Sequence, residues 1–313
     1  MDGPNTKSYH IPSDAVWFIT GCSSGIGQAL VQYITTHHPT HRVVATARNP
    51  AALTHPPNPS VLPLPLDVTS QASINSALDA ALTHFHRIDI LVNNAGYSLV
   101  GDTEVAGDAE SRALLDTNFW GVVDLTKRAL GIMRDTNPES GGAQGGVILN
   151  VSSMGGFIGF PGSAFYHASK FAVEGWTEAV ARELPAAWNI HLCNIEPGGV
   201  KTNYATTSLK FMSQGRHPAY ADPSYPSNRL REYVGKEENR RAWAEPEAIA
   251  RAMVNVVSRG GRIPIRVPLG ADSYGMILAE LESIRRDLEE TREISLAVGE
   301  MEQLESIRFL QRE

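Results

Sequence analysis

A chain of 313 residues, 42% hydrophobic and 19% charged, is long enough for one large α/β domain or two small ones and too apolar for wholesale disorder. Its formal charge of −7 argues against a nucleic-acid partner, which calls for a basic surface, and two cysteines, Cys22 and Cys193, are too few for a disulfide framework. No run of about 18 uncharged apolar residues marks a membrane span, and no grouping of ligating side chains marks a metal site.

Met1–Asp14 is polar and lacks the apolar run of a secretory signal, so it reads as an N-terminal extension. With so few cysteines, a reducing, cytoplasmic setting is expected. From Ala15 onward, short apolar runs alternate with longer stretches of helical spacing. The predicted order begins with strand Ala15–Thr20, helix Gly25–Thr36, strand Arg42–Ala47, and a proline-rich loop over Pro50–Pro65 with a short strand near Val61–Leu66. His37, His38 and His41 have no carboxylate or cysteine at ligand spacing and read as loop. Helix Gln71–Phe85, strand Ile88–Val92, a long helix Asp108–Asp135 and a flexible loop Asn137–Gly146 come next. Strand Gly146–Val151, helix Ser163–Leu184 and strand Ile190–Ile195 follow.

Between Asn203 and Ala244 the alternation breaks. Tyr204, Phe211, Met212, Tyr220, Tyr225, Tyr233 and Trp243 are too many large apolar groups for a solvated linker, so 203–244 is predicted to be a partly helical lid. Helix Glu247–Arg259 and strand Ile263–Pro268 complete the pattern. The remainder, 271–313, is a C-terminal helical extension: one amphipathic helix over Asp272–Gln311, interrupted near Gly299. Its stripe of Leu281, Ile284 and Leu288 is expected to pack on the body or on a second subunit. Such alternation predicts a doubly wound parallel sheet, a Rossmann-type α/β fold, in a single domain over 15–270.

Three motifs carry chemistry. The segment Thr20-Gly21-Cys22-Ser23-Ser24-Gly25-Ile26-Gly27 follows a strand and opens a helix, where glycines let a pyrophosphate approach the free N–H groups of the helix start. At the end of the second strand stands Arg48 rather than a carboxylate. An acid there would accept from a ribose 2′-hydroxyl, whereas an arginine suits a 2′-phosphate, so NADP(H) is the expected dinucleotide. Asp67 and Val68 are placed to meet the adenine, and Asn93-Asn94-Ala95-Gly96 lies at the carboxyl edge of the sheet, where such folds bind ligands.

The third motif is Tyr166-His167-Ala168-Ser169-Lys170, with Ser153 thirteen residues earlier. In a helix Tyr166 and Lys170 project from one face. Alone, the pair also reads as a surface tyrosine beside a solvated lysine. A tyrosine with a free pKa of about 10 needs a shift of about 3 units, roughly 4 kcal/mol, to shuttle protons at neutral pH. A neighbouring ammonium supplies it in the right direction, and a serine hydroxyl can hold the substrate oxygen beside the phenol.

Taken in order, these segments resemble the short-chain dehydrogenase/reductase (SDR) family from Ala15 to Pro268. The family's glycine motif falls on Thr20, Gly21, Gly25 and Gly27, and its Asn-Asn-Ala-Gly on Asn93 to Gly96. Its catalytic tetrad of Asn, Ser, Tyr and Lys falls on Asn118, Ser153, Tyr166 and Lys170. Its nicotinamide-contacting turn falls on Pro197-Gly198, followed by Val200 and by Thr202, the position of the threonine that holds the carboxamide. The resemblance implies that Lys170 also reaches the nicotinamide ribose, that Asn118 holds a water relaying protons, and that Ser153 rather than Ser152 meets the substrate. It further implies a homodimer or homotetramer built on the helices at 108–135 and 163–184. Many NADP-preferring members carry a basic residue where Ser24 stands, so Arg48 carries the NADP(H) inference and dual use stays open.

The expected activity is reversible, NADPH-dependent hydride transfer to a ketone, or from a secondary alcohol, on a fairly apolar small molecule. The aromatic lid, with Tyr97, Phe157 and Phe165 near the mouth, and Arg266–Gly270, which is similar to hydroxysteroid and acyl-ketone reductases, suggest a steroid-like, acyl or specialised-metabolite ketone. Two alternatives keep the fold: a non-catalytic NADP(H)-binding redox sensor, in which Ser153 and Tyr166 would be idle, and an epimerase or double-bond reductase.

Overall fold

The computed structural model describes residues 5–53, 58–202 and 208–310. The first four residues of the N-terminal extension, the lid's start at 203–207 with Tyr204, and Gln311 at the end of the long predicted helix lie outside the described residues.

Seven parallel strands form the central sheet: β1 (Val16–Ile19), β2 (Arg42–Ala47), β3 (Val61–Pro65), β4 (Ile90–Asn93), β6 (Gly146–Val151), β7 (Ile190–Pro197) and β9 (Arg266–Leu269), in the order β3-β2-β1-β4-β6-β7-β9. The strands are apolar on both faces because both are covered. Trp17 and Ile19 of β1 pack with Leu30 and Ile34 of α1 (Gly25–His37) and with Met253 of α9 (Pro246–Ser258). Val16 and Phe18 point the other way, to Ile74 and Leu78 of α2 (Gln71–Phe85), Leu125 of α4 (Gly121–Gly131) and Val180 of α6 (Ala164–Glu183). Strand order reverses between β1 and β4, which opens a crevice at their carboxyl ends.

Several predicted boundaries move. The strand expected at Ile88–Val92 runs Ile90–Asn93, and the last runs Arg266–Leu269 rather than Ile263–Pro268. Of the histidines expected in a loop, His37 ends α1, whereas His38 and His41 do lie in the loop before β2; there His41 is buried, and its Nδ1 accepts the Trp17 indole N–H at 3.1 Å. The helix expected at Asp108–Asp135 is divided by π turns at Asp116–Trp120 and Ile132–Thr136, which leave α3 (Asp108–Leu115), α4 and a last turn, α5 (Asn137–Glu139). The segment expected to be a flexible loop therefore starts as helix.

Asn137 ties that segment down: it is fully buried, accepts from Ile88 N at 3.1 Å and donates to Ile88 O at 2.9 Å and Gly145 O at 3.3 Å. Asn137→Ala leaves a buried N–H and two carbonyls without partners and is expected to cost about 2–4 kcal/mol. Urea unfolding measures it, and a loss below about 0.5 kcal/mol would show that the bridge is not what orders this loop.

The described part of the segment expected to be a lid is partly helical, as expected. Its strand β8 (Leu209–Phe211) pairs in parallel with β5 (Ser98–Val100), and α7 (Pro226–Gly235) and α8 (Glu237–Arg240) follow. Buried Asp102, just after β5, fastens it by accepting from Arg216 Nε at 2.7 Å and His217 N at 3.1 Å. The C-terminal extension breaks twice, giving α10 (Ala271–Glu290), α11 (Arg292–Leu296) and α12 (Met301–Ser306). Leu281, Ile284 and Leu288 are exposed, so their stripe does not pack on the body of the same chain. No helix among the described residues is long and apolar enough to cross a membrane.

Candidate active site

After β1 the chain turns through Gly21 and Gly25, both at positive φ (72° and 60°), a conformation that favours glycine. Ser24, the N-cap residue of α1, makes no side-chain cap, so the helix start keeps its amides available to an anion. Gly27 lets the helix lie against the loop, since a Cβ there would meet Gly21 O at 2.5 Å and Asn94 Nδ2 at 2.6 Å. The Asn93–Gly96 segment braces this turn from β4. Asn94 Nδ2 donates to Thr20 O at 2.8 Å and Gly21 O at 3.1 Å, while Thr20 Oγ1 accepts from Asn94 N and Ala95 N, both at 2.9 Å.

Arg48, directly after β2, is exposed and has no ion pair among the described residues. Asp67 has its carboxylate engaged by the hydroxyl (2.7 Å) and N–H (2.9 Å) of Thr69, which hold it below the usual carboxylate range. The uncapped helix start, the space reserved by Gly27 and the unpaired guanidinium together fit a dinucleotide carrying an extra phosphate.

Helix α6 carries Tyr166 and Lys170 on one face, with Lys170 Nζ 5.8 Å from the Tyr166 ring centroid. The Lys170 ammonium is buried and donates to Val151 O at 2.8 Å; burial pulls its pKa down to about 8, against the attraction of Glu174. Ser153 Oγ already accepts the Gly155 N–H at 3.0 Å, which frees its own proton for another oxygen. Asn118 lies in the first π turn, buried behind Gly96. It accepts from Tyr97 N at 3.1 Å and donates to Tyr97 O at 2.9 Å and Ser169 Oγ at 3.1 Å.

One cavity of about 1090 Å³ joins these parts. Gly21, Ser23, Ser24, Gly25, Ile26, Arg48, Asp67, Val68, Asn94, Ala95 and Gly96 line one part, and Ser153, Tyr166, Lys170, Pro197, Gly198, Val200 and Thr202 line the rest. Gly27 and Asn118 support the wall from behind without lining it. That space exceeds the roughly 300–1,000 Å³ of a pocket for one drug-sized ligand. It suits a dinucleotide with a second molecule.

The mouth departs from expectation. Tyr97 lines the cavity, but Phe157 and Phe165 do not; Phe165 packs instead against the cluster of Leu99, Leu114 and Met212. Met154, Phe160 and His167 take those places, with Phe211 and Trp243 from the lid. Asp272, at the start of α10, is a further contributor: its Oδ2 accepts the Gly199 N–H at 2.7 Å and so anchors the turn after Pro197. Its sequence signal is an acid in a first helical turn, which marks a helix start but gives no partner.

The sequence matches the short chain dehydrogenase family model over residues 15–212. It is 45% identical over 300 residues to the oxidoreductase calM of Penicillium decumbens, covering 94% of this chain and 96% of that one. It is 34% identical over 252 residues to a 3-ketodihydrosphingosine reductase of Bacteroides thetaiotaomicron, covering 80% of this chain and 86% of that one. Among solved structures, a short-chain dehydrogenase from Streptomyces avermitilis superposes with a TM-score of 0.79 at 30% identity, covering 92% of this chain and all of the other.

Proposed function

The chain belongs to the short chain dehydrogenase family, and from that premise we propose an NADPH-dependent oxidoreductase that moves a hydride reversibly between nicotinamide and a fairly apolar ketone or secondary alcohol. The observation that carries this reading is the single cavity in which Tyr166, Lys170 and Ser153 share walls with the glycine turn and Arg48. NADPH, when bound, would supply the hydride, and its oxidised form NADP+ would accept it in the reverse direction.

The chain's own residues do the rest. The α1 amides and glycine turn hold the pyrophosphate, and Arg48 grips the 2′-phosphate. The buried Lys170 ammonium favours the Tyr166 phenolate, so Tyr166 gives up its proton near neutral pH to the substrate carbonyl oxygen. Ser153 turns its free proton to the same oxygen. The Tyr166 phenolate then regains its proton by way of Lys170, and Asn118, clamped by Tyr97 and Ser169, holds the water through which Lys170 is reprotonated from solvent. The apolar walls from Phe160, Phe211 and Trp243 favour an apolar substrate body, in line with the ketone-reductase name of the Bacteroides relative.

Two measurements check this. Initial rates of NADPH oxidation across a panel of apolar ketones are expected to show turnover with at least one, and a lower KM for NADPH than for NADH. Tight NADPH binding without turnover across the panel would overturn the reading. Arg48→Ala is expected to raise the KM for NADPH about 10- to 100-fold, the loss of one charge-assisted contact, and to leave that for NADH nearly unchanged. Equal changes for both would place the 2′-phosphate elsewhere.

A further inference from the structure

Behind Lys170, away from the cavity, lies a set of buried carboxyls that the proposed reaction does not use. Tyr166, Lys170, Glu174 and Glu178 follow one another at four-residue intervals on α6, a single stripe passing from the cavity into the junction with β7 and β9. Glu174 and Glu196 are both almost fully buried. Glu174 Oε2 accepts from Asn194 Nδ2 at 2.6 Å and Arg266 Nε at 3.1 Å, and Arg266 also donates to Glu178 Oε2 at 2.8 Å. Glu196 sits two residues beyond Asn194 on β7, hence on the same face, with Oε1 3.7 Å from Arg266 Nε.

Glu178 is only partly buried and has its own partner in Arg182, whose guanidinium donates to its Oε1 at 2.7 Å. Glu174 Oε1 and Glu196 Oε1, by contrast, are buried with no donor among the described residues. Two buried carboxyls facing one guanidinium with undonated oxygens are costly when both are ionised, so one proton belongs to the pair. Glu174 already has two donors on one oxygen, whereas Glu196 has only the more distant guanidinium. A proton on Glu196, directed at Glu174, would satisfy both undonated buried oxygens at once.

We propose that Glu196 is a neutral acid donating to Glu174, and that Glu174, kept as the carboxylate, is the buried counter-ion that holds Lys170 charged beside Tyr166. Both are positioning residues, acting through Lys170 rather than on substrate. Burial, then the charge of Glu174, pushes Glu196 up to about 8 against the pull of Arg266. Burial lowers Lys170, and Glu174 is the influence that opposes it. The other groups facing the set are Arg182, which donates to Glu178 Oε1 at 2.7 Å, Ser152 and Asn194, which meet Glu174, Cys193 and Arg259 near β7, and Ser273 of α10, whose hydroxyl donates to Glu196 O at 2.7 Å. His167, on the α6 side, is driven toward the neutral form by burial.

The kinetic role rests on the reading of Tyr166 and Lys170 above; the charge states do not, and they are tested without turnover. In full-length protein with carbon-13 glutamate, infrared spectra at pH 7 are expected to show a carboxylic-acid C=O band that fades as pH rises through about 8 and is absent in Glu196→Gln. In protein carrying carbon-13 at lysine Cε, with only six lysines to assign, the Lys170 titration midpoint is expected to fall by about one unit or more in Glu174→Gln. Glu196→Gln, whose amide still donates to Glu174, should leave that midpoint in place. The wild-type infrared spectrum decides the first half even if Glu174→Gln does not fold, and Glu196→Leu, which removes the donor, then tests the second by the same fall. A wild-type protein without the acid band at pH 7, or an unmoved Lys170 midpoint when Glu174 or its donor is removed, overturns the proposal. Failure to turn over any ketone would count against the proposed function and leave this pair standing.

Discussion

Tyr166→Phe is expected to lower ketone-dependent NADPH oxidation by about 10²- to 10⁴-fold, the range for loss of a positioned general acid. The substitution removes one oxygen and keeps the ring. Tyr166 packs against the Leu99, Leu114 and Met212 cluster, and phenylalanine preserves that contact, so thermal stability should change by less than about 1 kcal/mol. The glycine turn and Arg48 are untouched, so NADPH affinity should stay within a few fold. The signature is therefore a fall in kcat with binding and fold retained, read by steady-state rates and fluorescence titration of NADPH. A variant keeping more than a tenth of the wild-type rate would show that the proton comes from another group.

Lys170→Met is expected to be as damaging to activity and to have the opposite sign in stability. Lys170 is buried, donates to Val151 O at 2.8 Å, and burial outweighs the attraction of Glu174, so its pKa falls from 10.5 to about 8. A lysine whose folded pKa lies below its unfolded value weakens the fold wherever it is charged in both states, that is below about 8, and the penalty fades as pH rises from about 8 toward 10.5. Methionine fills similar space without that cost, so the variant should be more stable at pH 7 by about 1–3 kcal/mol. At pH 10 the gain should nearly vanish. Without the ammonium the Tyr166 phenol returns toward its ordinary range near 10, and turnover at pH 7 should drop about 10²- to 10⁴-fold. Urea unfolding at the two pH values and steady-state rates check both halves. A less stable variant would mean that Lys170 is held for structure.

Much of this was legible in the sequence because it is local. The glycine turn is read from eight consecutive residues between a strand and a helix, and Tyr166–Lys170 from a spacing of four. The sheet follows from the alternation of runs such as Val16–Ile19 and Gly146–Val151. What escaped depends on contacts between distant segments. Asp272 meets Gly199, and Arg266 meets Glu174, across separations of 73 and 92 residues that leave no mark in either local pattern. The β5–β8 pair joins two three-residue segments, too short to show a period. Phe165 looked like a mouth residue because it neighbours Tyr166, but adjacent positions on a helix point about 100° apart, and the core takes it. The π turn that carries Asn118 inside an otherwise uniform helical pattern gave no signal either.

The central claim, hydride transfer to a carbonyl carbon, is tested most directly by isotope. NADPH deuterated at the transferring position of the nicotinamide is incubated with the wild-type protein and an accepted ketone, and the product is examined by mass spectrometry and NMR. The expected result is deuterium on the carbinol carbon of a secondary alcohol, with Tyr166→Phe giving little or none. Deuterium on a carbon of a former double bond, or all of it retained on the cofactor, would contradict the account.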